Sequence, residues 1–298
     1  LYPILKALTM PRITLLLADD VGLGKTIEAG LILNELIARG RLRRIMVVCP
    51  ASLQLQWQDE MEEKFSLNFV VINRETTRAL QKEYGIDVNP FSFHPRIIVS
   101  MDYLRQIDVM ESFESASRSF AVSGAADNPW DMLVLDEAHN IAPKRFMEES
   151  DRLKMVRQII PYFEHRLFLT ATPHNGFTDS FTGLLEVLNP LVFEQKPKLA
   201  ASDHSAISRF VVRRLKSDFA STTAIQRFTG RQIKVINSDG KLYPHESSLF
   251  HAVRAYREKA LQIAELQHED AGRQKLIVRF LITLLTKRLL SGTYAFAC

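Results

Sequence analysis

The chain has little cysteine and no long hydrophobic run, and both shortages narrow what it can be. Two cysteines in 298 residues cannot make a disulfide framework, and no group of Cys and His has the spacing of a zinc site. No apolar run approaches the ~20 residues that a membrane span needs. The sequence begins Leu-Tyr-Pro, which is neither an initiator methionine nor a signal peptide. We therefore expect a fragment of a longer cytoplasmic protein in a reducing setting, with no membrane partner.

Charge is close to balanced overall but uneven along the chain. The net charge of +4 and the pI near 9.0 permit a polyanionic partner without requiring one. Asp218 is the only acid between residues 205 and 234, and this stretch is either a solvated basic surface or a strip that faces nucleotide or DNA. Its basic residues are Arg209, Arg213, Arg214, Lys216, Arg227, Arg231 and Lys234.

Short apolar runs alternate with helical patterns over the first 240 residues. Runs without polar alternation suit strands that are buried on both faces, and the helical stretches between them indicate a parallel sheet covered by helices. The predicted fold class is therefore α/β, with helices on both faces of one parallel sheet. The predicted strands are Ile13–Ala18, Ile45–Cys49, Phe69–Ile72, Ile97–Ser100, Met132–Asp136 and Leu167–Thr170, and the predicted helices include Thr26–Ala38, Leu53–Phe65 and Leu153–Phe163.

Two regions depart from this alternation. Residues 108–129 are polar and rich in Ser, Ala and Gly, so we expect a surface insertion there. After residue 240, apolar residues keep helical spacing in two stretches, which predicts two amphipathic helices joined around residues 269–272. This divides the chain into a domain over 1–240 and a helical extension over 241–298. The apolar sets are Leu249, Val253, Tyr256 and Ala260, then Leu276, Phe280, Leu284 and Leu285.

The most informative segment follows the first predicted strand. Glycines at 22 and 24 let backbone N–H groups close on phosphate oxygens, Lys25 can reach the β- and γ-phosphates, and the Thr26 hydroxyl can hold Mg²⁺. A glycine-bearing turn that merely caps a helix is the alternative, and the strict pattern has Gly where this chain has Asp19. The ATP-binding candidates are Asp20, Gly22, Leu23, Gly24, Lys25 and Thr26.

A second segment makes chance an unsatisfactory explanation. The apolar run Trp130–Leu135 ends in Asp136 and Glu137, so a buried strand would carry two carboxylates to the rim of the sheet. Asp136 can hold Mg²⁺, and Glu137 can polarise the water that attacks the γ-phosphate. With Lys25, these two acids are the predicted catalytic residues, and ATP and Mg²⁺ are the predicted cofactors.

The motifs together resemble those of the first ATPase lobe of Snf2-type superfamily 2 helicases and translocases. The resemblance covers nearly the whole chain. The residues in and around the motifs are most similar to those of the bacterial RapA-like branch and, within it, to the Snf2-like helicase of the DISARM phage-defence system. Asp20 stands where many relatives carry Glu, which keeps the charge. The matching segments are Asp19–Thr26 (motif I), Cys49–Leu53 with Trp57 downstream (Ia), Ser100–Tyr103 (Ib), Asp136–His139 (II), Leu169–Pro173 (III) and the arginine-rich Arg213–Lys216.

This resemblance implies further roles. His139 with Thr170, Ala171 and Thr172 would couple the nucleotide state to the grip on DNA. Phosphates of duplex DNA would be contacted, without regard to sequence, by Pro50, Ala51 and Ser52 of motif Ia and by Ser100, Met101 and Asp102 of motif Ib. The helical extension would correspond to the protrusions between the lobes. A second RecA-like lobe with motifs IV to VI and the arginine finger, and the upstream glutamine motif that reads adenine, would lie outside this sequence.

We expect a DNA-dependent ATPase that moves on duplex DNA or remodels protein–DNA complexes, close to the bacterial nucleoid. Its partners would be duplex DNA, the second lobe of the parent chain and subunits of a defence or transcription complex. Two alternatives stay open: a strand-separating helicase or restriction-type motor, which shares motifs I to III, and a nucleotide-dependent scaffold without turnover. Intact Lys25 and Glu137 argue against the scaffold, since a scaffold needs neither.

Overall fold

The computed structural model describes residues 2–122, 128–143, 148–173, 176–216, 244–266 and 280–287. The chain divides into two compact units, Leu1–Phe228 and Thr229–Cys298, and each is described by itself. The domain boundary expected at residue 240 falls within residues 217–243, outside the described part, and stays a prediction.

The first unit is built on a seven-stranded sheet in which every pairing is parallel. The strands are β1 (Thr14–Leu17), β2 (Ile45–Cys49), β3 (Val70–Ile72), β4 (Arg96–Ser100), β5 (Trp130–Leu135), β6 (Phe163–Leu169) and β7 (Val211–Val212). Their spatial order is β3-β4-β2-β5-β6-β1-β7. Parallel pairing requires a crossover between strands, which the alternating helices supply. The predicted α/β fold class is confirmed.

Helices cover both faces of this sheet. They are α1 (Tyr2–Leu8), α2 (Lys25–Ala38), α3 (Gln54–Phe65), α4 (Arg74–Tyr84), α5 (Pro90–Phe93), α6 (Met101–Leu104), α7 (Ile107–Val122), α8 (Asp151–Ile159), α9 (Thr178–Leu188) and α10 (Ala201–Phe210). Alternate residues of one strand enter different apolar clusters: Leu16 packs in one, and Leu15 and Leu17 pack in the other. Strands buried on both faces explain why their sequences read as continuous apolar runs.

Two sequence-based expectations are wrong. Residues 108–129 do not begin as a polar insertion, because α7 runs to Val122 and buries Val109, Met110 and Phe113 at helical spacing. Serine and glutamate on its other faces dilute the apolar signal. The helix expected over 153–163 ends at Ile159, and β6 begins at Phe163, four residues before the predicted start. Buried His165 and Arg166 lie inside this strand and mask its apolar character.

The second unit contains a helix, α11 (Pro244–Leu266), and a further helical stretch over residues 280–287. A helix is therefore present over the first predicted stretch, but Tyr256 of its expected apolar face is exposed. Leu276 and the joint at 269–272 lie outside the described residues. In the second stretch Ile282 is buried and Phe280 and Leu284 are exposed, which corrects the expected face. Apolar residues at 281, 282, 284 and 285 lie on several sides of this helical stretch, so hydrophobic periodicity does not indicate which side is buried. Among the described residues, no helix is long and apolar enough to cross a membrane.

Candidate functional site

The predicted motifs meet at one edge of the sheet. Because the strands are parallel, their carboxyl ends share an edge, and in open α/β sheets ligands bind there. β1, β2, β4, β5 and β6 each end directly before or within a motif. The segments brought together are Ala18–Thr26, Pro50–Leu53, Ser100–Tyr103, Asp136–His139 and Leu169–Pro173.

The loop between β1 and α2 has the geometry of a phosphate loop. Gly22 and Gly24 have φ of 80° and 86°, the left-handed region where side chains are strained. α2 starts at Lys25, so its first N–H groups and its positive dipole end point into this loop. The Lys25 ammonium donates to the carbonyl oxygens of Asp19, at 2.8 Å, and Asp20, at 3.4 Å. The ammonium thus lies against the loop that would surround a phosphate.

Asp19, which departs from the strict pattern, is a fully buried anchor of this loop. Its carboxylate pairs with the guanidinium of Arg214, which also pairs with Glu28 of α2. The backbone N–H of Arg214 donates to Asp19 Oδ1 at 2.8 Å. A buried charge is tolerated only with such partners. The carboxylate therefore fixes the loop to a segment 195 residues further along the chain.

The residues after β7 continue this attachment, and we call Arg213–Lys216 the docking segment. Asp20 donates its N–H to the carbonyl of Arg214 at 3.1 Å, and its Oδ2 accepts the N–H of Lys216 at 3.0 Å. Asp20 therefore helps to hold the docking segment, and its expected contact with nucleotide stays a prediction. Of the basic stretch, Arg214 is turned inward toward acids, whereas Arg227, Arg231 and Lys234 lie outside the described residues.

Asp136 is buried and oriented from two sides. Its Oδ2 accepts the indole N–H of Trp57 at 2.8 Å, and its Oδ1 accepts the backbone N–H of Glu137 at 2.8 Å. A carboxylate offers about four lone-pair sites, so two remain for a metal or its water. Mg²⁺ commonly binds one carboxylate together with substrate phosphates. Thr26 and Asp136 fit that requirement, and in the described part of the chain no cluster of three or more His, Cys, Asp or Glu forms a separate metal site.

Glu137 adopts a strained backbone conformation at the rim of the sheet. Its φ of 50° and ψ of 46° are left-handed, which costs a residue with a side chain about 1–2 kcal/mol. Asn140 holds this turn, since its backbone N–H and side-chain amide both donate to the Glu137 carbonyl, at 2.9 and 3.0 Å. The strain turns Glu137 away from buried Asp136 and leaves its carboxylate partly exposed.

His139 links the ends of β5 and β6. Its Nδ1 lies 3.0 Å from Glu137 Oε2 and 3.2 Å from Thr170 Oγ1. The Thr170 hydroxyl also accepts the N–H of Thr172 at 3.2 Å, which closes a turn around Ala171. The Thr170 N–H donates to the carbonyl of Leu17 at the end of β1. One chain of contacts therefore joins the acid of motif II, motif III and the strand that leads into the phosphate loop.

Motif Ia forms an accessible turn. Pro50 follows β2 and precedes a 3₁₀ turn over Ala51–Leu53 that leads into α3. Ala51 and Ser52 are exposed, and no side-chain hydrogen bond caps this turn. These positions can therefore present backbone N–H groups and one hydroxyl to a ligand.

Motif Ib is more enclosed. Ser100 is buried and caps α6, where its hydroxyl accepts the N–H of Tyr103 at 3.1 Å. The side chain of Met101 belongs to the core, so only its main chain could meet DNA. Asp102 is exposed but forms a two-pronged ion pair with Arg152 at 3.0 Å. The carboxylate of Asp102 alone would repel a phosphate, and Arg152 supplies a positive charge beside it.

Sequence reasoning missed two contributions to this site. Trp57 was known only as a downstream match, and nothing local indicated its bond to Asp136. The pairing of Arg214 with Asp19 and Glu28 joins distant segments, which spacing cannot reveal. Cys49, at the end of β2, is a fully buried thiol. Burial, together with the nearby charge of Asp136, raises the pKa of Cys49 to about 12.

A phosphate loop after β1 and an Asp-Glu pair after β5 of a parallel sheet define a P-loop NTPase lobe of the RecA-like class. The SNF2-related domain family matches residues 4–288, and the chain belongs to that family. It is thus a domain of the ATP-hydrolysing Snf2 class.

Its curated relatives include bacterial RapA proteins. It is 35% identical over 244 residues, 77% of this chain, to the RNA polymerase-associated protein RapA of Actinobacillus pleuropneumoniae serotype 3, and 37% identical over 183 residues, 60% of this chain, to that of Yersinia enterocolitica. The chain spans 24% and 17% of those proteins. Among solved structures, the Sulfolobus solfataricus SWI2/SNF2 ATPase core in complex with dsDNA matches with a TM-score of 0.53 and 19% identity, over 94% of this chain and 55% of that one.

Proposed function

We propose that this chain is the first lobe of a DNA-dependent ATPase that moves on duplex DNA or remodels protein–DNA complexes. The observation that carries the proposal is the position of Lys25 and Glu137 at one edge of the sheet. β6 alone separates β1 from β5, so the two motifs are two strand spacings apart, about 10 Å. A bound triphosphate with its metal would fill that gap.

The residues present suit in-line attack on the γ-phosphate. Lys25 and the N–H groups of the loop would hold the β- and γ-phosphates. Thr26 and Asp136 would hold Mg²⁺, which when bound offsets phosphate charge. Glu137 would orient a water molecule and accept its proton as its oxygen bonds to phosphorus and the bond to ADP breaks. His139, in contact with Glu137 and Thr170, would make the position of this acid depend on motif III.

The decisive experiment uses the full-length parent protein. Glu137→Gln keeps the size of the side chain but loses the base, so ATP binding is expected to persist and turnover to fall to background. Glu83→Gln, an exposed glutamate on α4, is the matched control and should leave turnover unchanged. Wild-type hydrolysis by Glu137→Gln would remove Glu137 from the chemistry, and a wild-type parent with no turnover would favour the scaffold.

The DNA and pathway parts of the proposal have indirect support. The matching SWI2/SNF2 core was solved with dsDNA, and the curated relatives are described as RNA polymerase-associated. The accessible turn at Pro50–Ser52 and the ion pair of Asp102 with Arg152 offer contacts to phosphate but none to bases. We propose a nucleoid setting and a role in transcription or, as the resemblance to DISARM suggests, in phage defence. Strand displacement by the parent protein would instead support a strand-separating helicase, and its co-purifying subunits would distinguish the pathways.

A further inference from the structure

A cavity lies at the opposite edge of the sheet from the phosphate loop. Its volume is about 750 Å³, and it is lined by the segment between α1 and β1, by the end of α9 and by the end of α10. Thr14, the first residue of β1, contributes to its wall, whereas the phosphate loop follows the other end of that strand. Five residues of extended chain, about 16 Å, separate Thr14 from Asp19. A nucleotide in the phosphate loop therefore cannot fill this cavity.

Four cations line the cavity: Lys6, Arg12, Arg166 and Arg209. Within the described part of the chain, no acidic side chain is among the lining residues. The first three donate hydrogen bonds to main-chain carbonyls, which carry no formal charge. Lys6 donates to Ser208 and Val211, Arg12 to Phe163 and Glu164, and Arg166 to Leu188.

Arg166 makes this cluster costly. It lies inside β6, is 93% buried by its relative exposure of 7%, and its Nε has no acceptor. Burial and the charge of Arg12 lower the pKa of Arg166 to about 10, and burial also lowers the pKa of Lys6. Cations at the carboxyl ends of α9 and α10 are favourable for the helix dipoles, which accounts in part for Lys6, Arg166 and Arg209, the last of which lies in the final turn of α10. It does not account for Arg12, nor for four cations lining one cavity without an acid.

We infer that this cavity binds the phosphate groups of a small ligand. Guanidinium groups match phosphate oxygens two at a time, and a cluster of formal charge +4 calls for a multiply charged anion more than for one carboxylate. The wall also contains Met10, Pro11 and Phe210, so the ligand has room for an apolar or planar portion beside its phosphates. This inference is independent of the proposed ATPase activity.

The test titrates the chain with pyrophosphate in a calorimeter at low salt. Because pyrophosphate can also enter the phosphate loop, the Lys25→Ala variant is titrated in parallel. We expect a binding component that survives Lys25→Ala and weakens about tenfold in Arg209→Gln and again in Arg12→Gln. Both arginines are exposed, so these variants should keep the fold. Arg78→Gln, an exposed cation on α4, is the matched control and should bind as the wild type does.

Three outcomes would overturn the inference: no pyrophosphate binding once Lys25 is replaced, equal affinity in Arg209→Gln and Arg78→Gln, or binding of a short DNA duplex, but not pyrophosphate, that depends on Arg12 and Arg209. The last would assign the cavity to nucleic-acid phosphates. Loss of ATPase activity in Glu137→Gln has no bearing on any of these readouts.

Discussion

Asp136 depends on a neighbour that lies 79 residues away in the sequence. The indole of Trp57 is the only side-chain donor that the described structure gives to this carboxylate, and the other bond comes from the backbone of Glu137. The indole therefore helps to fix the direction in which the remaining lone pairs of Asp136 would meet a metal. A packing residue of α3 thereby controls the geometry of the catalytic edge.

Trp57→Phe should weaken magnesium-dependent nucleotide binding. The hydrogen bond to a charged acceptor is lost, which typically costs about 1.5–3 kcal/mol, and Asp136 becomes free to rotate. The measurement is the Mg²⁺ concentration that half-saturates ATP binding. Trp130→Phe is the matched control, because it removes a buried indole that donates to Ser117 instead of an acid. An equal shift in both variants would show that lost packing, and not orientation of Asp136, is responsible.

Cys49 should make the fold less stable at high pH. In the unfolded chain this thiol ionises near pH 9, whereas in the folded chain its pKa is about 12, so the folded state favours the neutral form. The stabilisation of the fold by the neutral Cys49 thiol is fully present below pH 9 and is lost as pH rises toward 12. The difference in unfolding free energy between Cys298→Ser and Cys298→Ser/Cys49→Ala should narrow across this window. A constant difference from pH 7 to pH 11 would contradict the raised pKa.

The docking segment, Arg213–Lys216, joins parts of the domain that are far apart in the sequence. It follows the edge strand β7, holds both acids before the phosphate loop and contacts the first turns of α2 through Glu28. The docking segment therefore holds the edge of the sheet and the phosphate loop together. A shift of this segment has to move Asp19 and Asp20 with it.

Arg214→Met should destabilise the domain by about 3–5 kcal/mol and raise the KM for ATP in the parent protein, because Asp19 is left buried without its partner. Arg213→Met, its exposed neighbour, should change stability by less than about 0.5 kcal/mol. Denaturant unfolding measures both.

Asp19→Asn combined with Arg214→Met separates the two explanations of such a loss. The double variant should recover part of the stability, because Asp19, the more deeply buried of the two carboxylates that Arg214 pairs with, is no longer charged, although Glu28 stays unpaired. If it is no more stable than Arg214→Met alone, the ion pair does not explain the loss.

The sequence allowed the elements to be predicted better than the contacts between them. β1, β2 and β5 are mostly apolar runs, and the loop at Gly22–Lys25 carries the end of a phosphate-loop pattern, so these were predicted closely. β6 and α7 were missed in part because buried polar side chains, His165, Arg166 and Ser117, interrupt their patterns. The partners of Asp19 and Asp136 come from distant segments, and no local pattern encodes them.

On the proposed function, the chain as a whole presents one side of a nucleotide site. It spans 24% and 17% of the two RapA proteins compared above, and the resemblance implies an arginine finger in a second lobe. Such a cation contributes about 10³–10⁵ in rate in comparable NTPases. On the proposed function, this lobe would bind phosphate and activate water, and the second lobe would complete the transition state.

The isolated chain should fold and show little or no DNA-stimulated ATP hydrolysis, whereas fusion to the second lobe of its parent should restore stimulation. A phosphate-release assay with and without duplex DNA measures this, with circular dichroism to establish folding. DNA binding by the chain alone should be weak and should fall as salt rises. Robust stimulated turnover by the chain alone would rule out the two-lobe mechanism.

The position of β1 in the sheet also determines when the site can form during synthesis. β1 pairs only with β6 and β7, although it is made before either. The ribosome must therefore deliver about 200 residues before the strand that carries the phosphate loop has both neighbours, and Arg214 emerges only after them. Closing so long a loop is slow, since its entropy is lost before its contacts form. The nucleotide site, encoded near the start of this sequence, is thus among the last parts of the domain to be assembled.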